Sequence, residues 1–93
     1  MTKNLTSVEN MHSNNNNPVP NQFTIRTREG NYFQSYSSII IFKPHNGEKI
    51  ELDVNKWDYS VTTGKYRNQF LGESKKETEA KIKSGEYILT DLN

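Results

Sequence analysis

Residues 39–54, IIIFKPHNGEKIELDV, carry the pattern that decides the fold. The first four residues are apolar, and from Lys49 to Val54 charged residues alternate with Ile, Leu and Val. Alternation is typical of a strand with one buried face, whereas an unbroken apolar run is typical of a strand covered on both faces or facing a partner. Between them, Pro44 and the Asn-Gly pair favour a turn, because Pro presets φ and Asn-Gly tolerates positive φ. The stretch therefore predicts an antiparallel hairpin.

Further strands lie on either side of this hairpin in the sequence. Residues Gln22–Glu29 alternate between two sets of side chains, one of which contains Phe and Ile, and this predicts a half-buried strand. Gly30 and Asn31 then turn the chain, and Tyr32–Lys43 is the next predicted strand. At the far end of the chain, Tyr87–Leu92 is predicted to be the last strand.

Two short helices are predicted before the last strand. Hydroxyl residues that can cap a helix N-terminus precede the first helix, which runs through Leu71, and Gly72 suits the left-handed position after it. The second helix begins at Ser74, where Glu77 completes a capping box, and ends at Gly85. Because its residues are mostly Lys and Glu, we expect the second helix to be exposed.

The predicted fold class is α+β, a small antiparallel sheet in the order β-β-β-α-α-β with both helices on one face. Residues 22–93 form this single domain and hold every aromatic residue of the chain. Residues 1–21 contain seven Asn, two Pro and no aromatic residue. Such a stretch buries too little apolar surface to offset the ~1–2 kcal/mol per residue that backbone ordering costs. We predict a disordered leader, which is either a solvated tail or a flexible binding arm.

Composition excludes several functional classes. With 12 basic and 11 acidic residues, the net charge of +1 argues against a DNA-mimicking acidic surface and against a strongly basic polyanion binder. The absence of Cys excludes disulfides, thiolate metal sites and a Cys nucleophile. No apolar run approaches the ~18 residues of a membrane span, and the N-terminus lacks the apolar stretch of a signal peptide. We expect a cytoplasmic protein with no membrane partner.

The residue pattern does not favour catalysis. Gly64-Lys65 fails to match a phosphate loop, because the first glycine of that motif and the hydroxyl residue after its lysine are both missing. The chain has two His, too few for a histidine metal cluster. Glu51 and Asp53 share a strand face that we predict to be solvated, without the cleft that an acid–base pair needs. We predict a non-enzyme with no metal and no cofactor.

Residues 57–72, WDYSVTTGKYRNQFLG, surround the predicted start of the first helix and contain all of the candidate binding residues except Tyr36. Helix N-termini attract anions, and aromatic side chains in contact with solvent anchor partners. The simpler interpretation is ordinary capping with solvated basic side chains. We expect Trp57 and Phe70 to lie in the core. The predicted residues for binding a partner or an anion are Tyr36, Tyr59, Ser60, Thr62, Thr63, Lys65, Tyr66 and Arg67.

Nucleic-acid binding is an alternative that uses basic residues of the strands. Arg26, Arg28 and Lys43 are its predicted contacts, together with the start of the first helix. Acidic residues on the same hairpin partly cancel this positive field, and alternating cross-strand charge pairs are the ordinary explanation of such a pattern.

A block within residues 32–71 resembles a known group of proteins. Phe33-Gln34-Ser35-Tyr36, an apolar strand, and the pattern W-D-Y-S-x-T-T-x-x-Y-x-x-x-F-L from Trp57 onward are similar to short uncharacterised proteins of bacteriophages and other mobile elements. The resemblance implies a phage or mobile-element context but no activity. The Asn-rich leader and the second helix lie outside the shared block.

This context leads to one leading hypothesis and two alternatives. We expect a small accessory protein that binds a host or phage protein in the cytoplasm of the bacterial host, as an inhibitor of a bacterial defence system in the manner of an anti-CRISPR protein. The first alternative is the nucleic-acid binder described above. The second is an assembly subunit that forms a small homo-oligomer instead of a monomer, because the Ile39–Phe42 run is apolar on both faces.

Overall fold

The computed structural model describes residues 6–93, and across them the chain forms a single sheet with two helices. The elements are β1 (Ser7–His12), β2 (Pro18–Arg26), β3 (Gly30–Ser35), β4 (Ser38–Pro44), β5 (Glu51–Asp53), α1 (Val61–Leu71), α2 (Lys75–Ser84) and β6 (Ile88–Thr90). The strands lie side by side in chain order, from β1 to β6. Neighbours are antiparallel, except that β6 runs parallel to β5 after the two helices. Neither of the helices in this described part is long and apolar enough to cross a membrane.

The α+β class, the hairpin of β4 with β5, and both helices are confirmed. The Ser60 side chain accepts a hydrogen bond from the backbone N–H of Thr63 and so caps α1. Ser74 and Glu77 form the predicted capping box of α2. A glycine in the left-handed region follows each helix, with φ of 70° and 83°. These features were predictable because each depends on residues that are close together in the sequence.

The prediction of a disordered leader over residues 1–21 is wrong for the part that the structure describes. β1 and the start of β2 lie within it, and the Asn run is the hairpin loop between them. Asn16 in this loop has a φ of 61°, a left-handed conformation that Asn tolerates better than most residues. Of the residues of β1 only Met11 is buried, so this edge strand lacks the alternation that indicates a strand. Residues 1–5 lie outside the described residues.

The two prolines of this segment lie where β2 has a strand on one side only. β3 pairs with β2 from Gln22 onward, so Pro18 and Pro20 extend beyond the end of β3. Proline lacks an N–H group and is found in sheets mainly at edges and at the first residues of strands. Its missing donor therefore leaves no gap in the hydrogen bonding between β2 and β3.

The predicted strand Tyr32–Lys43 is two strands in the structure. β3 ends at Ser35, and Tyr36 turns the chain with a φ of 56°. The register between β3 and β4 then shifts at Ile40, which forms a β-bulge, and both Ile40 and Ile41 are fully buried. The signal for this turn in the sequence is weak, because the turn contains Ser37 and Ser38 but none of the Gly, Pro or Asn residues that mark one more strongly.

The helices cover one face of the sheet. Phe33, Ile41 and Leu52 are register partners in neighbouring strands and are fully buried. The Phe33 ring stacks on Phe70 of α1, with 5.8 Å between the ring centroids. Trp57 and Phe70 both pack against the core, as predicted.

A buried hydrogen bond joins α1 to the sheet. Oγ of Ser35 and Oγ1 of Thr63 are 2.8 Å apart, and both residues are completely buried. A buried hydroxyl without a partner costs about 1–3 kcal/mol, so this pair favours one position of the helix start relative to the end of β3.

Ser35→Ala is expected to lower the free energy of unfolding by about 1–3 kcal/mol, because the Thr63 hydroxyl loses its buried partner. Adding Thr63→Val should cost less than the sum of the two single changes, because no unpaired hydroxyl then remains. Thr62→Val is the matched control, since Thr62 is exposed. Urea unfolding of the four variants measures these differences. Strictly additive losses would contradict the proposed coupling.

Candidate functional site

An open cleft of about 660 Å³ lies beside the N-terminal half of α1. Residues of the β5–α1 loop, of α1 and of the start of α2 line it. They are Asp58, Tyr59, Ser60, Val61, Gly64, Lys65, Arg67, Asn68 and Lys75. The structure therefore brings four of the predicted binding residues to one place, namely Tyr59, Ser60, Lys65 and Arg67.

Two apolar side chains at this cleft are exposed to solvent. Val61, the first residue of α1, is 92% exposed, and Tyr59 is 43% exposed. The Lys56 Nζ atom lies 5.0 Å from the centroid of the Tyr59 ring, a cation–π contact that favours one orientation of the ring. The predicted set did not include Val61. A signal was available, because Gly64 and Lys65, three and four residues further on, give Val61 no apolar neighbour along the helix.

Tyr36 and Thr62 are exposed but do not line the cleft. Tyr36 follows Ser35, whose hydroxyl bonds to Thr63, so the β3–β4 turn lies at the same end of the molecule as the start of α1. These two residues are therefore available to a partner that extends beyond the cleft.

Three predicted binding residues are buried and serve the fold. Thr63 bonds to the sheet, Tyr66 belongs to the hydrophobic core, and Arg67 is 1% exposed. With Phe70 they follow the spacing i, i+3, i+4, i+7, which is the stripe of a helix that faces a core. The structure corrects the prediction for these three residues. Thr63 and Arg67 are polar, so apolar periodicity along the helix does not reveal this stripe.

Arg67 attaches the β5–α1 loop to both helices. Its Nη1 donates to the Trp57 carbonyl at 2.8 Å and to Asp58 Oδ1 at 3.0 Å, while Nε and Nη2 donate to Asn68 Oδ1. The guanidinium also lies over the Trp57 ring, 5.3 Å from its centroid. The other Asp58 oxygen accepts from Lys75 Nζ at 2.7 Å. Burial acts to raise the pKa of Asp58, but the hydrogen bonds and charges of Lys75 and Arg67 outweigh it, so this pKa lies below its ordinary value.

The basic residues predicted to contact nucleic acid lie at the other end of the sheet. Arg26 and Lys43 occupy one row across β3, whereas α1 meets Ser35, four residues further along that strand. Four residues of strand span about 13 Å. Arg26 forms an ion pair with Glu9, and Arg28 lines a separate cleft of about 500 Å³. The structure therefore does not unite these residues with the start of α1.

Asp53 is not on a solvated carboxylate face, which corrects the prediction for this residue. It is 1% exposed, and its carboxylate accepts from the backbone N–H groups of Asn55 and Leu92, at 3.1 and 2.8 Å. The side chain thereby holds the chain after β6 beside the end of β5. In the range from residue 6 to residue 93, no three His, Cys, Asp or Glu residues lie close enough together to hold a metal ion.

A second charged cluster surrounds Glu73, between the helices. Its carboxylate accepts from Lys81 Nζ at 2.7 Å, from the Tyr87 hydroxyl at 2.9 Å and from Thr78 Oγ1 at 2.5 Å. Burial acts to raise the pKa of Glu73, but these hydrogen bonds outweigh it and lower the pKa. Burial and the nearby carboxylate raise the pKa of Tyr87 to about 12. Because Glu73 is fully hydrogen-bonded, we assign the cluster to structure: it ties α2 to the residues before β6.

Comparison with known sequences places the chain in a family. The sequence model of a family of unknown function, DUF8033, matches residues 6–86. The chain belongs to this family. The prediction of an uncharacterised family is thus confirmed, and the DUF8033 match includes β1 and α2, which lie outside the block that carried the resemblance. No curated protein and no solved structure matches the chain.

In this DUF8033 chain, Arg67→Ala is expected to lower the free energy of unfolding by about 2–5 kcal/mol, because it leaves a cavity and removes the donor of the Trp57 carbonyl, Asp58 and Asn68. Arg67→Lys should restore only part of the loss, since one ammonium cannot reproduce the planar set of donors. Lys65→Ala, at an exposed position two residues earlier, should change stability by less than about 0.5 kcal/mol. Thermal and urea denaturation measure these effects. Equal stability of the two Ala variants would contradict the structural role of Arg67.

Glu73→Gln is expected to make the free energy of unfolding depend less steeply on pH in the acid range. The pKa of Glu73 in the folded chain lies below its ordinary value of 4.5, so the ionised carboxylate stabilises the fold above that pH. This stabilisation is lost as the pH falls through the folded pKa. Urea midpoints measured from about pH 7 to about pH 3 should therefore fall more steeply for the wild type than for the variant. Glu79→Gln, at an exposed position of α2, is the control and should follow the wild type. Parallel curves for wild type and Glu73→Gln would contradict the prediction.

Proposed function

We propose that the chain is a non-enzymatic protein-binding module of a bacteriophage or another mobile element, and that it binds its partner with the surface around the start of α1. The exposure of Val61, at 92%, beside the half-exposed ring of Tyr59 carries this proposal. An apolar side chain at this level of exposure contributes nothing to the core of the free chain. Aromatic residues with adjacent apolar groups are the usual anchors of protein interfaces.

The surroundings of this apolar pair suit a protein partner. Arg67 and Asp58 hold the loop that carries Tyr59, so the surface needs little reorganisation on binding. Lys65 is exposed at the cleft and adds a cation beside the apolar pair. A surface of this kind combines an apolar centre with a charged border, which is the usual anatomy of a protein interface.

The charges at the cleft argue against a phosphate-binding role. Lys75 is paired with Asp58, and Arg67 is buried in its own hydrogen bonds. Nucleic-acid binding depends on several cations that can reach phosphates together. The basic residues of the strands lie at the other end of the sheet, where Arg26 is paired with Glu9. A protein partner is therefore the better-supported choice, with nucleic acid as the alternative.

The identity of the partner is proposed from context. The W-D-Y-S-x-T-T block resembles proteins of phages and mobile elements, and an accessory protein without catalytic groups acts by occupying a surface of another molecule. We therefore place the partner among the host or phage proteins of the bacterial cytoplasm. Inhibition of a host defence protein is the specific role that we propose.

A pull-down from a bacterial host lysate tests the proposal. The tagged wild type should retain a protein after nuclease treatment and a high-salt wash, because an interface centred on aromatic and apolar groups depends weakly on salt. The variant Tyr59→Ala/Val61→Asp should bind that protein at least about tenfold more weakly, as expected for loss of anchor residues. Far-UV circular dichroism verifies that the variant is folded.

Val54→Asp is the matched control for this experiment. Val54 is exposed and does not line the cleft, so the same substitution there should leave binding unchanged. Retention that disappears with nuclease or salt would instead favour nucleic acid. Equal retention by wild type and the cleft variant would rule out this surface as the binding site.

A further inference from the structure

The sheet face opposite the helices carries an apolar row that crosses every strand of the described chain. Register pairs connect Val8, Ile25, Tyr32, Phe42, Glu51 and Ile88, in that order from β1 to β6. Register partners point to the same face of a sheet, and Tyr32 neighbours Phe33, which points toward the helices. The row therefore faces away from the helices. We call it the open-face row.

The open-face row is not part of the hydrophobic core. None of its residues belongs to the buried cluster of the described chain or to the side chains that pack against that cluster. Val8 and Ile88, at its two ends, are 60% and 44% exposed. The rings of Tyr32 and Phe42 stack in its middle, with 4.6 Å between their centroids. A sheet that is apolar on both faces needs a cover on each, and α1 and α2 cover one face only.

The charge on this face identifies the kind of occupant. Among the strands of residues 6–93, Glu51 is the one charged residue of the row. On the same face of β3, two residues after Tyr32, lies the uncharged Gln34. The basic residues Arg26 and Lys43 belong to the other face, because each lies next in sequence to a row residue. Along this row, nucleic acid would meet the Glu51 carboxylate and no cation, and Asp53 on the same face of β5 is buried and hydrogen-bonded to backbone N–H groups. The face thus suits an apolar, uncharged surface.

We propose that the open-face row is the interface between two copies of this chain, packed sheet to sheet. A symmetric dimer places the same patch on both sides of the interface, so the patch must be complementary to itself. An apolar row meets this condition, whereas a row of like charges would not. A two-fold axis that runs along the strands, between β3 and β4, also keeps the two Glu51 carboxylates apart. Strands are about 4.8 Å apart, so each β5 lies one and a half spacings from the axis and the two Glu51 positions are offset by about 14 Å. This offset is larger than the ~8 Å Debye length.

The size of the face satisfies what a stable dimer requires. The outer strands of the six-stranded sheet are about 24 Å apart, and the nine-residue β2 is about 30 Å long. A standard interface buries about 800 Å² on each partner, which is the scale of this face. Two sheets packed face to face lie about 10 Å apart, which lets side chains from both copies interdigitate.

Light scattering after size exclusion tests the proposal on the full chain. The wild type at about 100 µM, a concentration at which a micromolar dimer is nearly complete, should show twice the 10.8 kDa mass of the chain. Its Tm should rise with concentration, as for any fold stabilised by association. Val8→Lys/Ile88→Lys should be a folded monomer at the same concentration, with dimer dissociation at least about 100-fold more favourable, since four lysines would enter the interface. Both positions are already exposed, so the fold should tolerate the change.

Asn15→Lys/Val54→Lys is the matched control, because it adds the same two positive charges per chain at exposed positions outside the row and should stay dimeric. If the lysine variant is unfolded by circular dichroism, Val8→Thr/Ile25→Thr decides, because it keeps β-branched side chains and adds no charge, and it should weaken the dimer at least about tenfold. A monomeric wild type at about 100 µM overturns the proposal. It is also overturned if the folded lysine or threonine variant dimerises as the wild type does, because the interface then lies elsewhere.

Discussion

The guanidinium group of Arg67 connects three successive parts of the chain, namely the β5–α1 loop, α1 and, through Asp58, the start of α2. It hydrogen-bonds to the Trp57 carbonyl and to Asp58 in the β5–α1 loop, and Asp58 in turn binds Lys75 at the start of α2. The β5–α1 loop thus contacts both helices, and these contacts determine where the helices lie on the sheet. They also determine where Tyr59 and the first turn of α1 meet solvent. A planar, permanently charged donor group suits this position, because it serves several acceptors at once.

The sheet has two faces with different surroundings, and this difference organises the surface of the protein. On one face, Phe33, Ile41 and Leu52 are sealed by the helices. On the other, side chains of similar type are left in contact with solvent. A chain of this length buries a small core, so each uncovered apolar group is a larger part of its total than it would be in a big domain. The open-face row and the start of α1 lie on different parts of the molecule, so the two proposals concern separate partners.

Predictions from the sequence were accurate where the signal is local. The caps at Ser60 and Ser74, the glycines after each helix, and the β4–β5 hairpin all depend on residues within a few positions of one another. The strand β1, within the predicted leader, was missed because it is stabilised by pairing with β2. An edge strand with one buried side chain resembles a polar tail in composition. The turn at Tyr36 was missed for a similar reason: its positive φ is imposed by the pairing of β3 with β4 and not favoured by the residue.

The candidate site was likewise predictable from the sequence only in part. Composition and motif located the region around residues 57–72, and Tyr59 and Lys65 are indeed exposed there. Whether a polar residue of that region contacts solvent or the sheet was not predictable. Thr63, Tyr66 and Arg67 form a buried stripe because their partners come from β3 and from the β5–α1 loop, and no pattern along the helix identifies those partners.

Local chemistry therefore established the helices, their ends and the α+β class, since hydrogen bonds over three or four residues depend on neighbouring side chains alone. The burial of Thr63 and Asp53, the ordering of β1 and the apolar face opposite the helices were decided by contacts between residues that are distant in the chain. Burial is a property of the surroundings of a side chain. A sequence specifies those surroundings only through the folded arrangement of all its strands and helices.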